Sequence, residues 1–163
     1  MKRVAIITAS DSGYNGNRED LSAPVIEEIV GKQGYQVVKK ILLPDDKAML
    51  SQAMQEICDN NEADLILTTG GTGFSPRDVM PEATLAITER IVPGIPEAMR
   101  AYSMQFTKRA MLSRATAGIR KTTLIINMPG SPKAVRECLE YIITELNHGL
   151  EILLSEASNC ARK

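Results

Sequence analysis

The chain of 163 residues holds a single histidine, His148, and only three cysteines, Cys58, Cys138 and Cys160. Neither residue type comes in a catalytic or metal-binding pattern. No serine or cysteine has a histidine close by in sequence, which argues against a hydrolase triad. The cysteines are odd in number, far apart and without CxxC spacing, which argues against a disulfide framework and against zinc. Long apolar runs are also missing: none approaches the roughly 18 residues a membrane span needs. The apolar N-terminal segment stops at Ala9 with Asp11 close behind, so it reads as a first strand rather than a signal peptide. Nor is there an excess of charge. A net charge of −1 gives no support for binding nucleic-acid polymers, and a cytoplasmic setting is expected.

Charge is nevertheless unevenly placed. No acidic residue lies between Glu97 and Glu137, while eight basic ones do: Arg100, Lys108, Arg109, Arg114, Arg120, Lys121, Lys133 and Arg136. One face prepared for an anion would explain this, and so would a solvated basic surface.

What is present is an alternation of strand and helix signals. A continuous apolar run at 4–9 reads as a buried strand of a mostly parallel sheet, 35–43 as a second strand, and the short apolar run 65–67, extended to 69, as a third. Helical spacing recurs at 21–30, with Gly31 or Gly34 closing it, and again at 49–57. Further helices are expected at 81–90 and 95–106, and a strand pair at 114–127. A long amphipathic helix follows, with Val135, Cys138, Leu139, Ile142, Ile143, Leu146 and Leu150 on its inner face. The expected fold is α/β, a three-layer sandwich around a mostly parallel sheet. One domain over 1–156 is expected, with a fraying polar tail at 157–163.

The stretch from Asp64 to Glu82 organises the rest. An apolar strand runs into Gly70, Gly71 and Gly73, which let an anionic group approach the backbone closely. Ser75, Arg77 and Asp78 follow, and then Pro81 opens a helix. The loops 10–20, 44–46, 70–78 and 127–131 all follow strands, so a parallel sheet gathers them on one edge. Asp45 and Asp78 sit in two of these loops, and magnesium takes one or two carboxylates plus substrate phosphates. Glycine-loop N–H groups suit phosphate oxygens. Each aspartate has a plainer reading: Asp45 or Asp46 as a helix N-cap, Asp78 as a partner of Arg77 or a cap at Pro81. The glycine turn alone matches neither the dinucleotide fingerprint nor the P-loop.

As a set, the segments 68–84, 44–46, Met111–Arg114, Gly118–Arg120 and 126–131 resemble the signature of the molybdenum-cofactor biosynthesis proteins, in family order. The resemblance runs from Val4 to about Leu154. It implies a homotrimer that transfers AMP from Mg-ATP to the terminal phosphate of molybdopterin and hands the product to a molybdate-inserting enzyme. Asp45 and Asp78 would then be catalytic and hold Mg2+. Gly70, Gly71, Thr72, Gly73, Ser75, Ser113 and Arg114 would bind pterin and phosphate. Ser10, Asp11, Asn127, Pro129, Gly130 and Ser131 would bind the nucleotide. A non-catalytic pterin-binding or carrier relative is the alternative, and a molybdate-inserting or scaffold role has less to favour it. Family members usually carry threonine where this chain has Met80. A threonine N-cap before Pro81 leads to the expectation that Met80→Thr stabilises the protein by about 1 kcal/mol.

Overall fold

Strand β1, Arg3–Ala9, lies inside the sheet, and Val4, Ala5, Ile6 and Ile7 are all wholly buried. Burial on both faces is what a helix-covered parallel strand requires, and it explains why this run is continuously apolar rather than alternating. Successive side chains point to opposite sides. Val4 and Ile6 therefore join one core, and Ala5 and Ile7 the other.

The computed structural model describes residues 1–155. Glu156, the expected tail 157–163 and Cys160 lie outside the described residues. Among those described, β1 pairs in parallel with β2, Gln36–Leu43, and with β3, Leu65–Thr69. β3 pairs in parallel with β6, Thr123–Met128. β5, Ala117–Arg120, runs antiparallel to β6, and β4, Arg90–Ile91, antiparallel to β5. The order is β2-β1-β3-β6-β5-β4, a mixed, mostly parallel sheet.

Helices cover both faces. The short α1, Asp11–Tyr14, follows β1. α2, Ser22–Lys32, α5, Gly94–Ser103, and α6, Pro132–Leu153, build one core with the sheet. α3, Lys47–Asp59, and α4, Met80–Leu85, build the other. The buried face of α6 consists of the seven residues that its helical spacing predicts.

Three local expectations need correction. The helix expected over 81–90 is only α4, because Glu89 N–H donates to Ile119 O and Val92 N–H to Ala117 O, which draws the chain into β4. The helix expected to reach Phe106 ends at Ser103. Thr107 is extended there and caps a 3-10 helix, Lys108–Leu112, by accepting from Arg109 N–H. Met80 is not an N-cap. The helix begins at Met80 with Val79 before it, and the Met80 side chain is wholly buried in the second core.

Candidate functional site

Parallel pairing of β1, β2, β3 and β6 brings the loops after them to one edge of the sheet, and specific bonds tie those loops together. Thr69 Oγ1 at the end of β3 donates to Pro129 O at 2.6 Å. Ser22 Oγ donates to Gly130 O at 2.8 Å. Gly70 takes φ +90°, and a Cβ there would sit 2.3 Å from Ala9 O, so only glycine lets the turn after β3 lie against the end of β1.

The ambiguity among the aspartates resolves by geometry. Asp46 is the N-cap of α3, accepting from Met49 N–H at 2.9 Å. Asp45 is left for another task. Its N–H donates to Asp11 Oδ1 and its Oδ2 accepts from Asp11 N–H, both at 3.0 Å. Burial pushes the Asp45 carboxyl above its ordinary range, and the nearby carboxylates of Asp11 and Asp78 add to this against its bond from Asp11 N–H. Asp11 moves the other way, because the Arg77 guanidinium and then the Asp45 N–H stabilise its charge. Arg77 pairs with Asp11, at 3.0 and 2.9 Å, rather than with Asp78.

Asp78 folds back on its own loop, where its Oδ2 accepts from Ser75 N–H at 3.0 Å. Both carboxylates face the glycine turn. A Cβ on Gly71 would lie 3.3 Å from Asp45 Oδ1, and one on Gly73 would lie 2.8 Å from Asp78 Oδ2.

Arg114 is occupied by this loop. Its Nε donates to Gly73 O at 2.7 Å, its Nη2 to Asp78 O at 2.8 Å, and its Nη1 reaches the Glu82 carboxylate. Its own N–H donates to Thr72 O at 2.9 Å. Arg114 therefore shapes the turn from behind, and Thr72 beside it is buried.

Asn127 differs most from the nucleotide contact expected of it. It is 0% exposed, its Nδ2 donates to Thr68 Oγ1 at 3.1 Å and Thr84 Oγ1 at 2.9 Å, and its Oδ1 accepts from Thr116 N–H at 3.2 Å. The amide is used up inside the protein and braces the edge instead of facing it.

A cavity of about 270 Å³ opens on this edge, lined among others by Ser10, Gly70, Gly130 and Ser131. Arg18, Asp20, Ser22 and Thr69 line it too, although nothing in the sequence reading singles them out. A signal for Asp20 exists. Its Oδ1 accepts from Ser22 N–H and Ala23 N–H, the cap expected of an aspartate just before a helix. Ser131 caps α6 by accepting from Ala134 N–H, so the positive end of a 22-residue helix lies at the cavity. Pro129 and Ser113 instead line a separate cavity of about 210 Å³ between α5, the 3-10 helix and α6. Five of the eight basic residues are tied up within the protein rather than free to meet an anion. Arg100, Arg114, Arg120, Lys121 and Arg136 are engaged with carbonyls or carboxylates of the protein itself.

Among the described residues, no group of three or more His, Cys, Asp or Glu could hold a metal. A cation at Asp45 and Asp78 therefore needs oxygens from a ligand, which is how Mg2+ commonly binds. The half-buried, charge-crowded carboxylate of Asp45 fits such a cation. Among the described residues, no helix is long and apolar enough to cross a membrane.

Residues 5–148 match the family described as a probable molybdopterin binding domain. A molybdopterin adenylyltransferase of Helicobacter pylori is 36% identical over 153 residues, which covers 93% of this chain and 87% of that protein. Its counterpart in Escherichia coli is 40% identical over 141 residues, 85% of this chain and 72% of its own. The crystal structure of the molybdopterin biosynthesis enzyme MoaB of Thermus thermophilus superposes with a TM-score of 0.89 at 43% identity, covering 94% of this chain and 96% of that one.

Proposed function

The chain belongs to the molybdopterin-binding family of molybdenum-cofactor biosynthesis proteins, and we propose that it is a molybdopterin adenylyltransferase. A phosphate oxygen of molybdopterin attacks the α-phosphorus of ATP, the bond to the bridging oxygen of the β-phosphate breaks, and pyrophosphate leaves. The attacking oxygen is already anionic, so no general base is needed, and the lack of a histidine at the site is no obstacle. The difficulty is bringing two anions together, which calls for electrostatic stabilisation.

One observation carries this reading: the carboxylates of Asp45 and Asp78 face Gly71 and Gly73 of the turn after β3, where no side chain stands between them and the backbone. Mg2+ held by these two carboxylates would neutralise phosphate charge when bound. The backbone of Gly70, Gly71 and Gly73 offers close approach to a phosphate oxygen, and Arg114 holds that backbone in place. Ser10, Gly130 and Ser131, beside the start of α6, form the nucleotide side. Ser75 and Ser113 are assigned to the pterin side by family resemblance. Asp11 orients Asp45 through their paired bonds.

Residues 1–156 form the catalytic domain in this reading. The protein works as a homotrimer in the cytoplasm and passes adenylylated molybdopterin to a molybdate-inserting enzyme. Buried, free Cys58 and Cys138 suit a reducing compartment. Exposed Ile91, Tyr141 and Ile152 suit association, and the number three rests on family resemblance.

The test is to incubate purified protein with molybdopterin, ATP and Mg2+ and to quantify adenylylated pterin and pyrophosphate. Equal amounts of the two support the reading. Bound pterin without AMP transfer would make the protein a carrier.

A further inference from the structure

The transfer as derived leaves Arg77 without a task. Its guanidinium reaches from the loop after β3 to the loop after β1 and makes both of its side-chain hydrogen bonds to Asp11. The pair is open to water, with side chains 63% and 39% exposed, so little holds it in one geometry. The surroundings are acidic: Asp45 and Asp46 also lie within electrostatic reach of Arg77. Asp11 in turn is clasped to Asp45, so Arg77 supplies positive charge to a carboxylate one bond away from the expected metal ligand.

Its loop is built to let this side chain move. The ends are fixed: Met80 N–H donates to Gly71 O at 3.1 Å, and Arg114 holds Thr72 O, Gly73 O and Asp78 O. Between them Phe74, Ser75, Pro76 and Arg77 are all exposed. Arg77 can turn without disturbing the glycine turn. A guanidinium binds phosphate oxygens through the same two-pronged, charge-assisted geometry that it now uses on Asp11. Asp11 directly follows Ser10, which lines the cavity at the start of α6, and is clasped to Asp45, so Arg77 is parked on the same sheet edge, next to the expected metal ligand.

We propose that Arg77 is a pyrophosphate-binding residue, held on Asp11 while the site is empty and exchanging onto the β- and γ-phosphate oxygens when ATP binds. There it meets the negative charge that appears as the α–β bridge breaks, and it stays bound to the leaving pyrophosphate. This rests on the adenylyl-transfer reading.

Calorimetric titration of the whole protein with inorganic pyrophosphate, with AMP and with molybdopterin, each in the presence of Mg2+, tests it. Arg77→Ala weakens pyrophosphate binding by about tenfold or more and leaves AMP and molybdopterin affinities at wild-type values. Arg77→Lys recovers part of the loss, because it keeps the charge but not the fork. Asp11→Asn tightens pyrophosphate binding, because the competing carboxylate charge is gone. Wild-type pyrophosphate affinity in Arg77→Ala overturns the proposal and leaves the transfer reading standing. An equal loss for all three ligands means a collapsed loop and also overturns it. If wild-type protein binds neither pyrophosphate nor AMP, both the transfer reading and this role fall.

Discussion

Asp11 and Asp45, 34 residues apart, each accept the backbone N–H of the other at 3.0 Å. This reciprocal clasp fixes the loop after β1 to the loop after β2. The clasp favours both charges alike, yet the two carboxyls shift in opposite directions because the rest of their surroundings differ. Asp11 has the Arg77 guanidinium as well and is held low, whereas Asp45 has burial and two neighbouring carboxylates and is pushed up. A carboxylate left short of positive charge beside a glycine turn is a place where a cation gains most.

Met80 gives the clearest reversal of a sequence-based expectation. Its side chain is 0% exposed, among Leu50, Met54, Ile66 and Ala83. Met80→Thr removes buried volume and brings a hydroxyl into an apolar core, so it destabilises by about 1–3 kcal/mol instead of stabilising. Urea denaturation of both proteins checks the sign. A higher midpoint in the variant would mean that the helix is capped at this position after all.

Asn127→Ala leaves the Thr116 N–H without its acceptor and opens a small void against Thr68 and Thr84. The expected cost is about 2–4 kcal/mol of stability. Nucleotide affinity, measured by calorimetry well below the variant's melting temperature, should stay at the wild-type value, because the buried amide offers nothing to a ligand. A variant of unchanged stability with lost nucleotide binding would return Asn127 to the contact role.

The acid limb of stability has an identifiable contributor. Asp59 ends α3 and binds Arg120 of β5 through two bonds at 2.9 and 3.0 Å. The Arg120 hydrogen bonds lead in lowering its pKa from 3.8 to about 2. A carboxyl with a lower pKa folded than unfolded stabilises above the unfolded value and loses that contribution as pH falls through the folded one. The contribution is therefore present above about pH 4 and fades toward about pH 2. Asp59→Asn should flatten the fall in melting temperature across that window. An identical acid slope in the variant would show that the pair contributes nothing.

What the sequence makes legible follows from periodicity. Seven inner positions of α6 and the continuous apolar run of β1 are visible because burial imposes a spacing that residue types must respect. The convergence of four loops follows from parallel topology. The two-residue β4 leaves no period to detect, so the chain after α4 reads as more helix. At the site, residue type alone cannot tell a polar group that faces the ligand from one that faces inward. Asn127 and Arg114 look like contacts, yet their hydrogen bonds go to residues distant in sequence, Thr84 and Gly73 among them. Asp45 and Asp46 are adjacent and chemically identical. Only the folded geometry assigns the cap to Asp46 and leaves Asp45 at the glycine turn.

The central claim is that Asp45 and Asp78 serve AMP transfer rather than pterin binding. A single-turnover measurement with molybdopterin, ATP and Mg2+ on Asp45→Asn and Asp78→Asn, with molybdopterin affinity measured separately, tests it directly. An asparagine at position 45 can still accept the Asp11 N–H, so the loop clasp survives in that variant. Transfer slower by about 100-fold or more is expected in each variant, with molybdopterin bound as tightly as by wild type. Transfer at the wild-type rate in either variant, or pterin affinity falling in step with the rate, would contradict it.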